Sequence, residues 1–164
     1  MAYIFEEMST SHRHAVIDIF NYFIKESHAA FLGEAVAYPF FDQFLKMSHG
    51  YPALVVKAGR GHVVGFGFMR PHYIADSFER AAQVTYFILP EYTRQGLGTA
   101  LLAFFVGEAR KMRIDSLLAS ISSRNRESLG FHLKHGFREC GRFLKVGRKF
   151  GEDVDAVWMQ KQLE

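Results

Sequence analysis

Hydrophobic residues recur with two different spacings along this chain, and the changes of spacing predict its helices and strands. Apolar residues three and four positions apart predict helices. These helices cover 13–26, a short segment after Pro39, 96–112 and 125–135. Runs rich in β-branched and aromatic residues predict strands over 3–6, 52–57, 62–69, 82–89, 115–121, 137–146 and 154–162.

The order of these elements, β-α-α-β-β-β-α-β-α-β-β, indicates the fold class. Strands and helices mixed in this way favour an α+β fold, in which helices cover a mixed sheet. The chain has 164 residues, and its sequence contains no internal repeat and no linker-like stretch. We therefore expect one domain over residues 1–164.

Composition and charge narrow the function classes. Hydrophobic residues make up 49% of the chain, which predicts a globular protein. The net charge of +3 suits a small polyanionic ligand and is too weak to argue for nucleic acid. The single cysteine, Cys140, fits a reducing compartment, so we expect a cytoplasmic protein. Neither a secretory signal nor an apolar run of about 18 residues is present, so no membrane partner is expected.

The segment from Gln83 to Met112 carries the strongest chemical signal. Its strand ends at Pro90, and a loop with Arg94, Gly96 and Gly98 then opens an apolar helix. The first N–H groups of a helix lack partners within the helix, and the helix dipole favours an anion there. Glycine lets a phosphate approach the backbone closely. This segment therefore predicts a main-chain phosphate site.

Two common phosphate motifs fit this segment poorly. A P-loop needs Gly-Lys followed by Ser or Thr, and the chain has no such run. A dinucleotide fold needs a third glycine where Leu101 stands, and an acidic residue at the end of the next strand. Asp115 lies at the start of that strand instead.

The segment resembles motif A of the GNAT superfamily of N-acetyltransferases, [RQ]-x-x-G-x-[GA] after a strand. Thr93 stands at the first position of the motif, and Arg94 is beside it. Downstream, S-S-R-N-R-E-S-L-G-F-H-L-K-H-G-F resembles the family's N-x-x-S-x-x-[LF]-[YH]-x-x-x-G-F. The ending V-G-R-K-F-G-E-D-V-D-A-V-W-M-Q is similar to the phosphinothricin acetyltransferase branch. This resemblance is continuous from about Leu54 to the end.

The resemblance implies a mixed, mostly antiparallel central sheet of about seven strands with about four helices, splayed at the strand that ends near Pro90. It also implies acetyl-coenzyme A (acetyl-CoA) as co-substrate, a small-molecule amine as acceptor and a homodimer. Loop amides would hold the pyrophosphate, and a main-chain N–H near Leu89 would stabilise the oxyanion. The implied cofactor-binding residues are Phe87, Ile88, Leu89, Arg94, Gln95, Gly96, Leu97, Gly98, Thr99, Asn125, Ser128 and His132.

Three residues are candidates for catalysis by this resemblance. His132 stands where the family has a general acid that protonates the leaving thiolate. Gln83 stands where the branch has a glutamate base, and an amide cannot take a proton. Another group serves as base, or the amine arrives neutral, or catalysis is impaired. Glu34 is one alternative base, and Thr85 or Tyr86 could orient water; Gln83 and Thr85 share one strand face and Tyr86 lies on the other.

The expected substrate site contains Phe31, Glu34, Arg70, Tyr73, Phe78 and Gln83. Tyr73 and Ala75 replace arginines that read an anionic substrate group in the branch, which favours a less anionic or more aromatic amine. Phe40 and Phe41 are expected in the core. No metal site is expected, because His132 and His135 have no third ligand at suitable spacing.

These inferences give one main function and two alternatives. The main prediction is an N-acetyltransferase in which the amine attacks acetyl-CoA directly, within a ternary complex. A catalytically weak acyl-CoA sensor that lost its base at Gln83 is the first alternative. A basic nucleic-acid-binding protein, suggested by the positive charges of residues 138–149, is the second and the weaker one.

Overall fold

The computed structural model describes residues 2–163 and contains seven strands and four α-helices in that range. The strands are β1 (Tyr3–Glu7), β2 (Ala53–Ala58), β3 (His62–Pro71), β4 (Ala81–Ile88), β5 (Ser116–Ser122), β6 (Arg138–Lys149) and β7 (Glu152–Gln162). The helices are α1 (Arg13–Glu26), α2 (Phe41–Met47), α3 (Leu97–Lys111) and α4 (Arg126–Lys134). Short 3-10 turns cover Thr10–His12, Tyr38–Phe40, Asp76–Phe78 and Pro90–Tyr92.

The seven strands form one sheet in the order β1-β2-β3-β4-β5-β7-β6. Within residues 2–163, β4 and β5 are the one parallel pair, and the other neighbours are antiparallel. β4 pairs with β5 only from Ala81 to Gln83, opposite Ser116 to Leu118. Beyond Gln83 the two strands diverge. The expected mixed, mostly antiparallel, splayed sheet is therefore confirmed.

Each face of the sheet carries a hydrophobic core. One core lies under α3 and contains the fully buried side chains of Leu101 and Phe105. The other lies under α1 and α2, where Ile17 and Phe41 are fully buried. Full burial of such side chains contributes about 1.5–3 kcal/mol each. Phe41 is a core residue as expected, and Phe40 packs on the same core while partly buried.

The last hairpin differs from its expected boundaries. Gly147 was expected between the strands, but β6 continues to Lys149 and Gly147 pairs with Val154. A Cβ on Gly147 would lie 2.8 Å from Val154 Cγ2, so this glycine allows close contact between the strands. The turn itself lies at Phe150 and Gly151, which have φ values of 54° and 73°.

Two glycines of β3 lie opposite the part of β4 that no longer pairs with β5. Gly67 lies opposite Tyr86 in the register. A Cβ on Gly67 would meet Thr85 O at 2.9 Å, Tyr86 Cβ at 3.0 Å and Phe105 Cε2 at 3.2 Å. Gly65 is equally confined, with Phe87 O at 2.9 Å. The absence of side chains here therefore lets the backbone of β4 lie close to β3.

Candidate active site

The loop between β4 and α3 is shaped by two residues in the left-handed conformation. Arg94 has a φ of 60°, and Gly96, the residue that caps α3, has a φ of 83°. The first helical hydrogen bond runs from Ala100 N to Gly96 O at 2.9 Å. Within the described chain, the backbone amides of residues 95–99 have no hydrogen-bond partner. These donors, at the positive end of a 15-residue helix, fit a phosphate group.

Gly98 fixes the distance between this helix start and α4. A Cβ on Gly98 would lie 3.3 Å from Cε2 of Phe131, which is tighter than ordinary van der Waals contact. Gly96 has open space around it instead, so its role is conformational. The two motif glycines therefore act differently, one through backbone conformation and the other through packing.

The edge of β4 that faces β5 is free of strand pairing from Val84 onward. Leu89 N donates to Val64 O of β3 at 2.9 Å, so the expected oxyanion donor near Leu89 has to be a neighbouring amide. Amides alternate between the two sides of a strand, so those of Tyr86 and Ile88 point toward the gap. The accessible backbone donor nearest the loop is therefore that of Ile88.

A cleft of about 1030 Å³ extends from this gap to the start of α3. It brings together most of the expected cofactor residues. Those that line it are Phe87, Ile88, Arg94, Gly96, Gly98, Thr99, Asn125, Ser128 and His132. Leu89, Gln95 and Leu97 do not line it; Leu97 is buried in the core, and the Gln95 side chain accepts a hydrogen bond from Tyr3.

Basic side chains surround the cleft in excess of acidic ones. Arg124, Arg126 and Lys134 line it in addition to Arg94, against a single carboxylate from Glu127 among the lining residues. The resemblance did not single out these three residues. Their charges favour a ligand that carries several phosphates.

The start of α4 holds the polar residues that the motif predicted. Asn125 caps the helix, because its Oδ1 accepts a hydrogen bond from Ser128 N at 3.2 Å. Gly136 follows the helix end with a φ of 87°, as expected for the residue after a C-cap. Asn125 thus has a structural role that is sufficient to explain its identity at this position.

His132 is buried, with both ring nitrogens in hydrogen bonds. Its Nδ1 lies 2.7 Å from the carbonyl oxygen of Ser128, and its Nε2 lies 2.5 Å from the hydroxyl of Tyr86. A carbonyl can only accept, so Nδ1 carries the ring proton. In the neutral ring, Nε2 is therefore the acceptor, and Tyr86 is the donor.

Burial keeps both members of this pair neutral. Burial lowers the pKa of His132 to about 4, while the hydrogen bond to Ser128 acts in the opposite direction. Burial raises the pKa of the Tyr86 hydroxyl. At neutral pH the proton between the two rings therefore lies on the Tyr86 oxygen.

Hydrogen bonds on two sides hold the side chain of Gln83. Arg70 Nη2 donates to Gln83 Oε1 at 2.9 Å, and Gln83 Nε2 lies 3.1 Å from His72 Nδ1. A guanidinium can only donate, so the amide oxygen must face Arg70 and the amide nitrogen must face His72. Gln83 is buried and does not line the cleft.

The other expected substrate residues lie at two places on the surface. Phe31 is 50% exposed in the segment after α1, where Glu34 is also exposed. Tyr73 and Phe78 are half exposed in the β3–β4 loop, with ring centroids 5.1 Å apart. None of the four lines the cleft.

The family model for the acetyltransferase (GNAT) family matches residues 16–137. This chain belongs to the acetyltransferase (GNAT) family. It is an acetyl-CoA-dependent N-acetyltransferase, as the gap beside β4 and the unpaired amides of residues 95–99, which form a cradle for phosphate, also indicate. A related acetyltransferase of Pseudomonas aeruginosa, named L-methionine sulfoximine/L-methionine sulfone acetyltransferase, is 32% identical over 118 residues, which cover 70% of this chain and 67% of that one. The L-amino acid N-acyltransferase MnaT of Escherichia coli is 33% identical over 115 residues, 70% of this chain and 66% of the other.

Solved acetyltransferases share the whole fold. One is yncA of Salmonella typhimurium with acetyl-CoA, which has a TM-score of 0.89 and 25% identity and matches 100% of this chain and 95% of that one. A phosphinothricin acetyltransferase from Sinorhizobium meliloti, in complex with acetyl-CoA, has a TM-score of 0.91 and covers 99% of this chain and 89% of its own, at 21% identity. No helix in the described range, 2–163, is long and apolar enough to cross a membrane.

Proposed function

We propose that this acetyltransferase moves the acetyl group of acetyl-CoA to a small primary amine that carries an apolar group and little negative charge. The observation that carries this proposal is the gap beside β4, which joins a row of unpaired loop amides to an aromatic-lined cleft. Some relatives are named for methionine sulfoximine, L-amino acids or phosphinothricin. In this chain Tyr73 and Ala75 stand where the branch has arginines, and Arg70 is engaged with Gln83. Fewer positive charges are therefore available to bind an anionic group of the substrate.

The residues fit acetyl-CoA as follows. The amides of residues 95–99 would hold the pyrophosphate, and Arg94, Arg124 and Lys134 would add positive charge. The unpaired edge of β4 would hydrogen-bond the amides of the pantetheine arm. When bound, acetyl-CoA supplies an activated acyl thioester, and the Ile88 N–H would stabilise the charge that develops on the acyl oxygen.

We favour direct attack by the amine in a ternary complex, because the cleft has no thiol to form a covalent acyl-enzyme. Cys140, the one cysteine of the chain, is exposed on β6, where its Sγ donates to Trp158 O at 3.4 Å. It does not line the cleft. Bringing the amine and the acyl group together in one cleft would then provide much of the rate enhancement.

The proton for the leaving thiolate is proposed to come through the Tyr86–His132 pair. His132 remains the family candidate for the acid, but its ring is neutral and has no proton on Nε2. The hydroxyl of Tyr86 holds the proton between the rings, so Tyr86 would donate it while His132 orients the hydroxyl. Glu34, the alternative base, is exposed and outside the cleft.

We further propose a cytoplasmic homodimer. β6 lies at the edge of the sheet, and its apolar side chains are exposed. Phe143, Leu144 and Val146 expose 59%, 70% and 61% of their surface. An exposed apolar edge strand favours pairing with a second chain.

The proposed function is tested by measuring coenzyme A release with a panel of amines that differ in charge and in apolar surface. Turnover highest for uncharged or apolar amines would support it. Turnover confined to amines that also carry a carboxylate would contradict the substrate class. Tight coenzyme A binding without turnover on any amine would favour the sensor alternative instead.

A further inference from the structure

His28 lies in the segment that follows α1, on the wall of the same cleft as Tyr86 and His132. Hydrogen bonds hold this segment at two points. Ser27 Oγ donates to Phe23 O at 2.9 Å and accepts from Ala29 N at 3.0 Å. Beyond His28, the buried Nζ of Lys149 donates to Ala30 O at 2.6 Å. The backbone around His28 is therefore fixed against the β6–β7 hairpin.

The imidazole of His28 forms a pair with a carboxylate of that hairpin. Its Nε2 lies 3.3 Å from Glu152 Oε1. The other carboxylate oxygen, Oε2, accepts from Arg124 Nη1 at 2.9 Å. Arg124 thus keeps the carboxylate oriented toward the histidine.

This pairing determines the tautomer of His28. An ionised carboxylate can only accept, so Nε2 must carry the proton, and the neutral ring has a free lone pair on Nδ1. Nδ1 is buried and has no hydrogen-bond partner among residues 2–163. A buried acceptor without a partner is unfavourable, so a donor that reaches this position gains a ready hydrogen bond.

We propose that His28 is the general base that deprotonates the amine substrate, with Glu152 as the residue that positions it. This proposal rests on the proposed function and names the base that Gln83 does not supply. Nδ1 is covered in the free protein, and the half-exposed ring of Phe150 lies against His28 with centroids 5.1 Å apart. Contacts of a base with its substrate often form only in the complex.

The proton balance is simple. Nδ1 takes one proton from the substrate ammonium, and the resulting imidazolium is stabilised by the Glu152 carboxylate. The neutral amine nitrogen then forms the C–N bond as the C–S bond breaks. By the proposal above, Tyr86 donates one proton to the thiolate. The second proton that the substrate nitrogen loses then restores the Tyr86 hydroxyl. The proton on His28 passes to solvent, so the products are the amide, the free thiol and one proton.

The first test compares two kinds of amine in the variant His28→Asn. Alkyl ammonium groups have a pKa of roughly 10 and need a base, whereas a weakly basic aromatic amine is already neutral at the assay pH. We expect kcat/KM of His28→Asn to fall about 100-fold or more for the alkyl amine and little for the aromatic amine. His62→Asn, at an exposed histidine outside the cleft, is the matched control. Equal losses for both amines would overturn the proposal.

The second test needs no turnover. In ¹⁵N-histidine-labelled protein without coenzyme A, the resonance that disappears in His28→Asn should show an Nε2-protonated ring. Glu152→Gln should reduce the population of that tautomer and lower kcat more for the alkyl amine than for the aromatic amine. An Nδ1-protonated His28 in the wild type would refute the dyad.

The two proposals fail separately. If the wild type acetylates no amine, the proposed function fails, whatever the tautomer of His28 is. If the wild type acetylates alkyl amines and folded His28→Asn does so at the same rate, only the base assignment fails. Thermal unfolding with and without coenzyme A checks that each variant folds and binds.

Discussion

The Tyr86 hydroxyl donates a hydrogen bond to His132 Nε2 across 2.5 Å, although the two residues are 46 positions apart in the chain. Their rings are nearly parallel, with an interplanar angle of 12°. Because Nδ1 of His132 is bound to Ser128 O, Nε2 is the ring nitrogen that remains to accept the hydroxyl proton of Tyr86. His132 and a tyrosine from β4 therefore line the cleft as one hydrogen-bonded unit.

Replacing Tyr86 with Phe should impair turnover as strongly as replacing His132 with Asn. The variant keeps the ring but removes the donor, so Nε2 is left buried without a partner, at a cost of about 1–3 kcal/mol in stability. We expect kcat to fall in each single variant, and the double variant to be little worse than either one. Additive losses in kcat would show that the two residues act independently.

The stability of the protein should depend on pH through His132. Its folded pKa of about 4 lies below the ordinary value of 6.5, so the unfolded chain binds the proton first as pH falls. Stability is then highest above pH 6.5 and declines between 6.5 and about 4, by about 3 kcal/mol from this group. Urea unfolding at several pH values measures this decline. It should be smaller in His132→Asn, and an unchanged slope would contradict the prediction.

Gly98→Ala should weaken coenzyme A binding by forcing the start of α3 away from Phe131, which a Cβ would meet at 3.3 Å. Gly107→Ala, on the same helix, is the control, because a Cβ there meets nothing within 4 Å. We expect the control to keep its affinity and to gain up to about 1 kcal/mol in stability. Calorimetric titration with coenzyme A and urea unfolding measure the two effects. Equal affinities in both variants would show that the α3–α4 contact does not shape the cradle.

Lys149→Met should loosen the segment that carries His28. The variant removes the hydrogen bond to Ala30 O, and the loss of this bond is expected to cost about 1–3 kcal/mol. Hydrogen exchange at residues 27–31 should accelerate. Lys111→Met, which removes an exposed ion pair with Glu108, should change neither stability nor exchange appreciably.

Leu144→Lys should dissociate the proposed homodimer, because it places a charge on the most exposed apolar side chain of β6. Analytical ultracentrifugation gives the molar mass of the wild type and the variant. Lys111→Met, which lies on α3 and not on β6, serves as the control here as well. A wild type that sediments as a monomer would dismiss the dimer itself.

Much of the fold could be predicted from the sequence because the patterns that determine it are local. The strand, the glycine loop and the helix from residue 83 to 112 are contiguous, so the cradle was visible as a motif. The splay of β4 from β5 followed from the family resemblance. The sequence pattern underestimates the length of β6, because a glycine such as Gly147 is typical of a turn, whereas here it packs closely against Val154 within the strand pair.

The polar contacts of the site were less predictable because they join distant segments. Tyr86 and His132, or His28 and Glu152, become neighbours only when the sheet is assembled. Gln83 was recognised as a departure from the family. Its engagement with Arg70 and His72, however, depends on side-chain directions that one sequence does not reveal.

The bare backbone of Gly67 makes two positions on different strands interdependent. Any side chain at residue 67 would press on Thr85 O, Tyr86 Cβ and Phe105 Cε2 at about 3 Å, so the close path of β4 that carries Tyr86 requires a glycine across the sheet. Transfer of the tyrosine–histidine pair to another acetyltransferase would therefore require the same close approach of the two strands, and with it a glycine opposite the tyrosine.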